Sequence, residues 1–147
     1  MDDYGRRIIL DVPFELAVAE TSQVLREEGL DIVARVDVRD YLLRTLHHEC
    51  RRYVLLEALA PDLTLDALQH DPGVGPLLPI AIGVYELADG ETAVVANPPF
   101  APVLSDFGWR AATPALATIG DRASEQLAQA LDRLQRATHH MSPVVQS

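Results

Sequence analysis

Several short segments of the chain alternate apolar and polar residues with a period of two, which is typical of β-strands. The clearest of them is 31–37, where the even-numbered residues are apolar. Two others, 53–59 and 80–87, are apolar on both sides, a pattern typical of strands whose two faces are covered. The pattern predicts five strands, over residues 7–12, 31–37, 53–59, 80–87 and 92–96.

Apolar residues three and four positions apart predict helices between and after these strands. A helix over 14–28 begins after Pro13 and ends before Gly29, a residue that favours the left-handed conformation found at helix ends. A second long helix is expected over 121–138, with Gly120 dividing it from the helical residues before it. Shorter helices are predicted over 38–48 and 61–68, and an irregular segment over 100–112.

Together these elements predict an α+β fold, a two-layer sandwich in which about five mostly antiparallel strands carry helices on one face. The pair Asp89-Gly90 is a hairpin signal that joins the fourth and fifth strands. No repeat, low-complexity segment or linker interrupts the chain. We therefore expect a single domain over 1–147, with a loose tail after residue 140.

The strands carry more apolar surface than two long helices can cover. On the third strand Val54 and Leu56 alternate with Leu55, so both sides are apolar. A closed two-fold dimer buries the same patch on both copies, and we expect a homodimer for that reason. A groove for a small apolar ligand is compatible with this arrangement, because Ala81 and Gly83 leave room beside the strand.

Composition narrows the classes of partner. The chain has 22 acidic and 12 basic residues, a net charge of -10 at pH 7, and the basic residues are all arginine. Without clustered positive charge, neither nucleic acid nor an anionic membrane is an expected partner, and the lack of lysine excludes Schiff-base and P-loop chemistry. Cys50 is the single cysteine, the first residues lack a signal-peptide pattern, and we expect a cytoplasmic protein.

The most specific motif is Asp71-Pro72-Gly73-Val74-Gly75-Pro76-Leu77-Leu78-Pro79, which leads directly into the fourth strand. With the first helix, from Phe14-Glu15 to Glu28-Gly29, and the segment Ala34-Arg35-Val36-Asp37-Val38, it resembles the family called domain of unknown function 302 over most of the chain. The resemblance implies a two-layer α+β domain that is dimeric. It implies no established reaction, so function must be argued from the site.

This chain departs from the family pattern in two segments. Members often carry Gly-Ala-Cys-Asn-Pro at the end of the third strand and Leu-Leu-Pro-Cys-Asn after the loop. Here Leu59 and Ile80 stand where those cysteines are expected, and Ala60 and Ala81 stand where the asparagines are. Any redox or ligand chemistry of the family cysteines is therefore absent from this member.

Glu57 is the candidate catalytic residue, because it interrupts an apolar strand. A carboxylate in such a place has three possible surroundings: it pairs with an arginine, such as Arg35 or Arg52, it lies exposed near the sheet margin, or it is enclosed by apolar residues. Enclosure would raise the pKa of the carboxyl group toward the range of a general acid or base. The ion pair or simple exposure is the favoured interpretation. The residues expected to line a ligand pocket are Tyr53, Glu57, Leu59, Ile80 and Tyr85.

Three types of metal-ligand residue occur within His47-His48-Glu49-Cys50, and His47, His48 and Cys50 are the candidate ligands. Neighbouring residues of a helix or strand point in different directions, and no second ligand pair occurs elsewhere in the sequence. A solvated helix end is therefore the favoured interpretation, with a metal site at these three residues as the alternative. We expect no cofactor.

Two functions are left open by the sequence. The favoured hypothesis is a non-catalytic homodimeric module that binds a small molecule between sheet and loop, or acts as an accessory protein. The alternative is a cofactor-free isomerase, cyclase or lyase that uses Glu57 to carry a proton in an apolar pocket. Replacing Glu57 by glutamine separates them, because only the enzyme would lose its activity.

Overall fold

The computed structural model describes residues 5–141, and side chains through residue 138. The strands of this part of the chain are β1 (Arg6–Leu10), β2 (Asp31–Asp37), β3 (Tyr53–Leu59), β4 (Ile80–Ala88) and β5 (Glu91–Asn97). Its α-helices are α1 (Phe14–Glu27), α2 (Val38–Leu46), α3 (Pro61–His70), α4 (Phe107–Ala112) and α5 (Pro114–Met141). A 3-10 helix, Pro72–Leu77, connects α3 to β4.

The strands form one sheet in the order β1-β5-β4-β3-β2, and every neighbouring pair is antiparallel. The β4–β5 hairpin turns at Gly90, whose φ of +76° is a conformation that glycine adopts without strain. The α+β class and the five-stranded antiparallel sheet expected from the sequence are thus confirmed.

One face of the sheet packs against α1 and α5 and contains the core. Alternate strand residues point into it, and Leu56, Ile82 and Val94 are each at most 1% exposed. The helices contribute Leu25 and Leu131, which are similarly enclosed. The core is therefore one layer of side chains, formed by alternate residues of the strands and by residues three and four positions apart in the helices.

The last helix differs from the expectation in one respect. α5 runs without a break from Pro114 to Met141, so the predicted division at Gly120 is wrong. Gly120 serves close packing instead: a Cβ there would lie 2.8 Å from a Leu104 methyl carbon and 3.1 Å from the Phe100 ring. The tail expected after residue 140 falls almost entirely outside the described residues.

A further helix occupies part of the segment expected to be irregular. The Asp106 side chain accepts a hydrogen bond from the Trp109 backbone N–H at 2.9 Å, and this cap begins α4. Within residues 5–141, none of the helices has the length and apolar character needed to cross a lipid bilayer.

Candidate functional site

The sheet face opposite α1 and α5 is the candidate functional surface, and we call it the open face. Leu55 on this face is 40% exposed, whereas its neighbours Val54 and Leu56 on the other face are 1% exposed. Strand register places the following residues on the open face: Arg7, Ile9, Ala34, Val36, Tyr53, Leu55, Glu57, Leu59, Ala81, Gly83, Tyr85, Ala93, Val95 and Asn97.

Pairing between strands divides the open face into two ends. At the first end Tyr53 lies opposite Tyr85, and in the next row of cross-strand neighbours Leu55 lies between Val36 and Gly83. We call this the tyrosine end. At the second end the row contains Ala34, Glu57, Ala81 and Asn97 in that order across four strands. The tyrosine end is thus mainly apolar, and the second end carries a charge and an amide.

Two tyrosines form a flat aromatic pair on the tyrosine end. The rings of Tyr53 and Tyr85 are stacked with centroids 5.2 Å apart and planes 9° from parallel. The guanidinium of Arg7 lies over the Tyr85 ring, 5.9 Å from its centroid. Desolvation, followed by the neighbouring Tyr85, raises the pKa of the Tyr53 hydroxyl. This hydroxyl therefore stays neutral across the physiological pH range and can donate and accept hydrogen bonds.

The position of the Tyr53 ring depends on the lack of a side chain at Gly83. A Cβ at this residue would lie 2.6 Å from the Tyr53 hydroxyl oxygen and 3.2 Å from its Cζ. It would also lie 3.2 Å from Cγ1 of Val95 on the neighbouring strand. Gly83 thus lets the phenol ring lie flat across β4 rather than stand away from the sheet.

Glu57 lies on the second end of the open face, and its side chain is exposed. Its cross-strand neighbours, Ala34 and Ala81, are too small to enclose it. Among residues 5–138 no hydrogen bond or ion pair to its carboxylate occurs, so the expected arginine partner is not found there. The enclosure that would make Glu57 a general acid or base is also missing from the single chain.

The five residues expected to line a ligand pocket do not share one surface. Tyr53, Glu57, Leu59 and Tyr85 are on the open face, but Ile80 is 1% exposed and points into the core opposite Ala58. Placing Ile80 in the pocket is therefore wrong, because neighbouring residues of a strand point to opposite faces and Ile80 points to the core face. Leu59 and Ile80, which stand at the family's cysteine positions, lie on opposite faces.

The residues considered for a metal site lie in the connection after α2. His47 ends that helix in the left-handed conformation, with φ 53°, and both histidines are exposed. Within the described part of the chain, no group of three or more histidine, cysteine or acidic side chains is arranged to hold a metal ion. These residues instead form a solvated segment that leads into β3.

Two contributors to the open face were missed by sequence reasoning. Arg7 belongs to an edge strand, and only the register across β5 and β4 brings it to Tyr85. The role of Gly83 was expected to be simple space for a ligand, whereas the space is filled by Tyr53 of the same chain. No local signal in the sequence reveals either contact, because both join residues from different strands.

Comparison with known families agrees with this architecture. Residues 7–134 match the family model described as "Domain of unknown function DUF302". The chain belongs to this family. The crystal structure of an uncharacterized conserved DUF302 protein from Bacillus stearothermophilus is similar, with a TM-score of 0.72 and 21% sequence identity, over 90% of this chain and 99% of that one. No curated protein matches the sequence.

Membership of the DUF302 family establishes a fold here, not a reaction. At 21% identity the similarity to the Bacillus stearothermophilus protein concerns the arrangement of strands and helices alone. The function of this DUF302 domain must therefore be argued from its open face.

Proposed function

We propose that this DUF302 domain is a non-catalytic homodimeric binding module whose interaction surface is the open face. One observation carries the proposal: a sheet face rich in apolar side chains lies opposite the helices that cover the core. Ile9, Val36 and Leu55 on that face are 44%, 47% and 40% exposed. Monomeric proteins rarely leave large apolar side chains grouped in this way, and such groups mark interaction sites.

The energy available from this face is enough to matter but small. Burying one large aliphatic side chain completely contributes about 1.5–3 kcal/mol, so covering these three half-exposed ones contributes roughly 2–4 kcal/mol per protomer. Two protomers together gain roughly 4–8 kcal/mol, against an association cost of roughly 4–15 kcal/mol. The face therefore supports a dimer only if other contacts add to it.

The charge on the face fits a binding role better than a catalytic one. Glu57 is exposed and lies between two alanines, where a carboxylate keeps its water. Stacking and Arg7 hold the tyrosine pair, and within residues 5–138 neither hydroxyl is hydrogen-bonded to a second proton-transfer group. A small apolar ligand would find its contacts at the margin of the dimer, between the tyrosine pair and Leu59.

The oligomeric state tests the proposal directly. Light scattering on the full chain at about 10 µM should give the mass of a dimer. Leu55→Asp places a charge in the middle of the tyrosine end and should shift the protein to the monomer. Leu65→Asp is the matched control, because Leu65 is the same residue type and is exposed on α3, away from the open face. It should leave the dimer intact.

A monomeric wild-type protein at this concentration would contradict the proposal. So would equal behaviour of Leu55→Asp and Leu65→Asp, because the dimer would then use another surface. Native mass spectrometry of the purified protein gives the second measurement. A small molecule retained by the wild type and released by Leu55→Asp is expected if the ligand and the second copy share the face.

A further inference from the structure

α2 packs on its own protomer only through half-buried side chains such as Val38 and Leu42, and it leaves its other large apolar side chains exposed. None of its nine residues is buried. Its large apolar side chains Tyr41, Leu43 and Leu46 are 52%, 41% and 69% exposed. Helices of this length are marginal on their own, and most helical stability in proteins comes from packing of an apolar side. α2 thus has a second set of apolar side chains for which the described part of its own chain offers no cover.

Local contacts nevertheless form α2 as a helix. The Asp37 carboxylate accepts a hydrogen bond from the Asp40 backbone N–H at 2.9 Å and caps the first turn. Arg44 pairs with Asp40 one turn earlier, with a distance of 2.9 Å between Nε and Oδ2. His47 ends the helix in the left-handed conformation. α2 thus forms through local contacts at both ends, without burying a residue, and its exposed side is available to a partner.

The position of α2 relates it to the tyrosine end of the open face. α2 follows directly on Asp37, which lies opposite Val54 and so marks the end of β2 beside Tyr53. Leu55 and Val36 at this end remain about half exposed, so α2 does not cover the face of its own chain. Each protomer therefore has one apolar helix without a face and one apolar face without a helix, at the same end of the sheet.

We propose that α2 of each protomer packs on the tyrosine end of the other protomer's open face, in a two-fold dimer that exchanges the two helices. This inference rests on the proposed function and names the contact that completes it. A two-fold axis satisfies both unpartnered surfaces at once, because each copy supplies one helix and one face. Adding Leu43 and Leu46 also raises the number of exposed large apolar side chains that the dimer covers in each protomer from three to five.

Charge distribution within the open face agrees with this placement. The chain carries a net charge of -10, so two copies repel each other unless their contact is mainly apolar. The tyrosine end brings Leu55, Val36, the tyrosine rings and the positive charge of Arg7 to the contact, and the negative charge of Glu57 stays at the other end, in water. On α2, Leu43 and Leu46 lie three residues apart and so share one side of the helix.

Cross-linking between chains tests the exchange. In a Cys50→Ser background, which removes the single native cysteine, one batch carries Leu46→Cys and a second, isotope-labelled batch carries Leu55→Cys. The two are mixed, allowed to exchange subunits and treated with a short bismaleimide. The expected product is a covalent dimer in which a labelled chain is joined at residue 55 to an unlabelled chain at residue 46. Leu65→Cys replaces Leu46→Cys in the matched control and should give none.

A second variant keeps the test independent of cross-linking chemistry. Leu46→Asp replaces a side chain that is mostly exposed in the protomer, so the folded structure should be unchanged. Circular dichroism checks this. The dimer dissociation constant should rise at least tenfold, whereas Leu65→Asp should leave it unchanged. A dimer that gives no 46-to-55 link and tolerates Leu46→Asp would overturn the helix exchange and leave the proposed function standing. A wild-type monomer at about 10 µM, the concentration of the light-scattering test, would overturn both.

Discussion

Replacing Gly83 by alanine tests the geometry of the tyrosine end with a single methyl group. Elsewhere in a strand this change is favourable, because alanine loses less conformational freedom than glycine on folding, by about 0.5–1 kcal/mol. At Gly83 the new Cβ would lie 2.6 Å from the Tyr53 hydroxyl oxygen, far inside van der Waals contact. The Tyr53 ring must therefore move.

The cost can be estimated from the contacts that are lost. Because the ring lies on the open face, it can swing away from the sheet, which ends its stacking with Tyr85. An aromatic pair of this kind contributes about 0.5–1.5 kcal/mol beyond its buried area. The 3.2 Å approach to Val95 adds strain, and small overpacking of this sort costs on the order of 1 kcal/mol. These losses outweigh the gain in the backbone.

Thermal and urea unfolding provide the assay, with Gly75→Ala as the matched control. A Cβ at Gly75 would have no atom within 4 Å, so that variant isolates the backbone effect. We expect Gly83→Ala to be less stable than Gly75→Ala by about 1–2 kcal/mol, equivalent to roughly 3–6 °C in Tm. All proteins are compared at one concentration, because the proposed association of two copies would make Tm depend on concentration.

Near-ultraviolet circular dichroism reports the tyrosine pair separately from stability. The aromatic signal should fall in Gly83→Ala and be retained in Gly75→Ala. In a Tyr53→Phe background the hydroxyl contact is absent, so the cost of Gly83→Ala should shrink by about 0.5–1 kcal/mol. Equal stability of the two alanine variants, with an unchanged aromatic spectrum, would refute the placement of Tyr53 across β4.

Three further outcomes follow from single contacts of the described residues. Thr21 is buried and its hydroxyl has no hydrogen-bond partner in this part of the chain, so Thr21→Val should raise the unfolding free energy in urea by about 1 kcal/mol. Thr92→Val should lower it by about 1 kcal/mol, because the Thr92 hydroxyl donates to the Val12 carbonyl at 2.9 Å. The Arg110 guanidinium lies 2.6 Å from the Asp121 carboxylate, and this hydrogen bond lowers the pKa of Asp121. At acidic pH the folded protein therefore binds fewer protons than the unfolded chain, so it loses stability as pH falls below about 4. Acid unfolding of Asp121→Asn should be less steep over that range, and an identical pH profile would contradict this role for the pair.

The strands were predictable because their signals are local. Alternation over 31–37 and 53–59 places both strands with the bounds that the structure has. The turn sequence Asp89-Gly90 likewise joins β4 to β5 in a hairpin, as expected. The surplus of apolar residues on β3 also foretold a face left without helices, since Leu55 and Leu56 cannot both point into one core.

The contacts of the candidate site were not predictable in the same way. Ile80 was expected beside Glu57 because both lie near the loop, but strand register turns Ile80 into the core. A helix was expected over 38–48 and forms over 38–46, yet its lack of burial depends on where the rest of the chain passes. The continuity of α5 through Gly120 depends on Leu104 and Phe100, which are distant in sequence.

The place of Glu57 gives the strongest constraint on how the open face is used. A partner that covered the whole face would remove water from this carboxylate, and an unpaired buried charge costs several kcal/mol. The described residues of the same chain offer Glu57 no cation, so a cover limited to the tyrosine end is the arrangement that avoids this cost. α2, which begins where β2 ends beside Tyr53, is placed to provide such a cover from a second copy. A substitution that removes the charge tests this argument: Glu57→Gln should leave the dimer dissociation constant within about twofold, whereas a face buried in full should bind at least tenfold more tightly once the charge is gone.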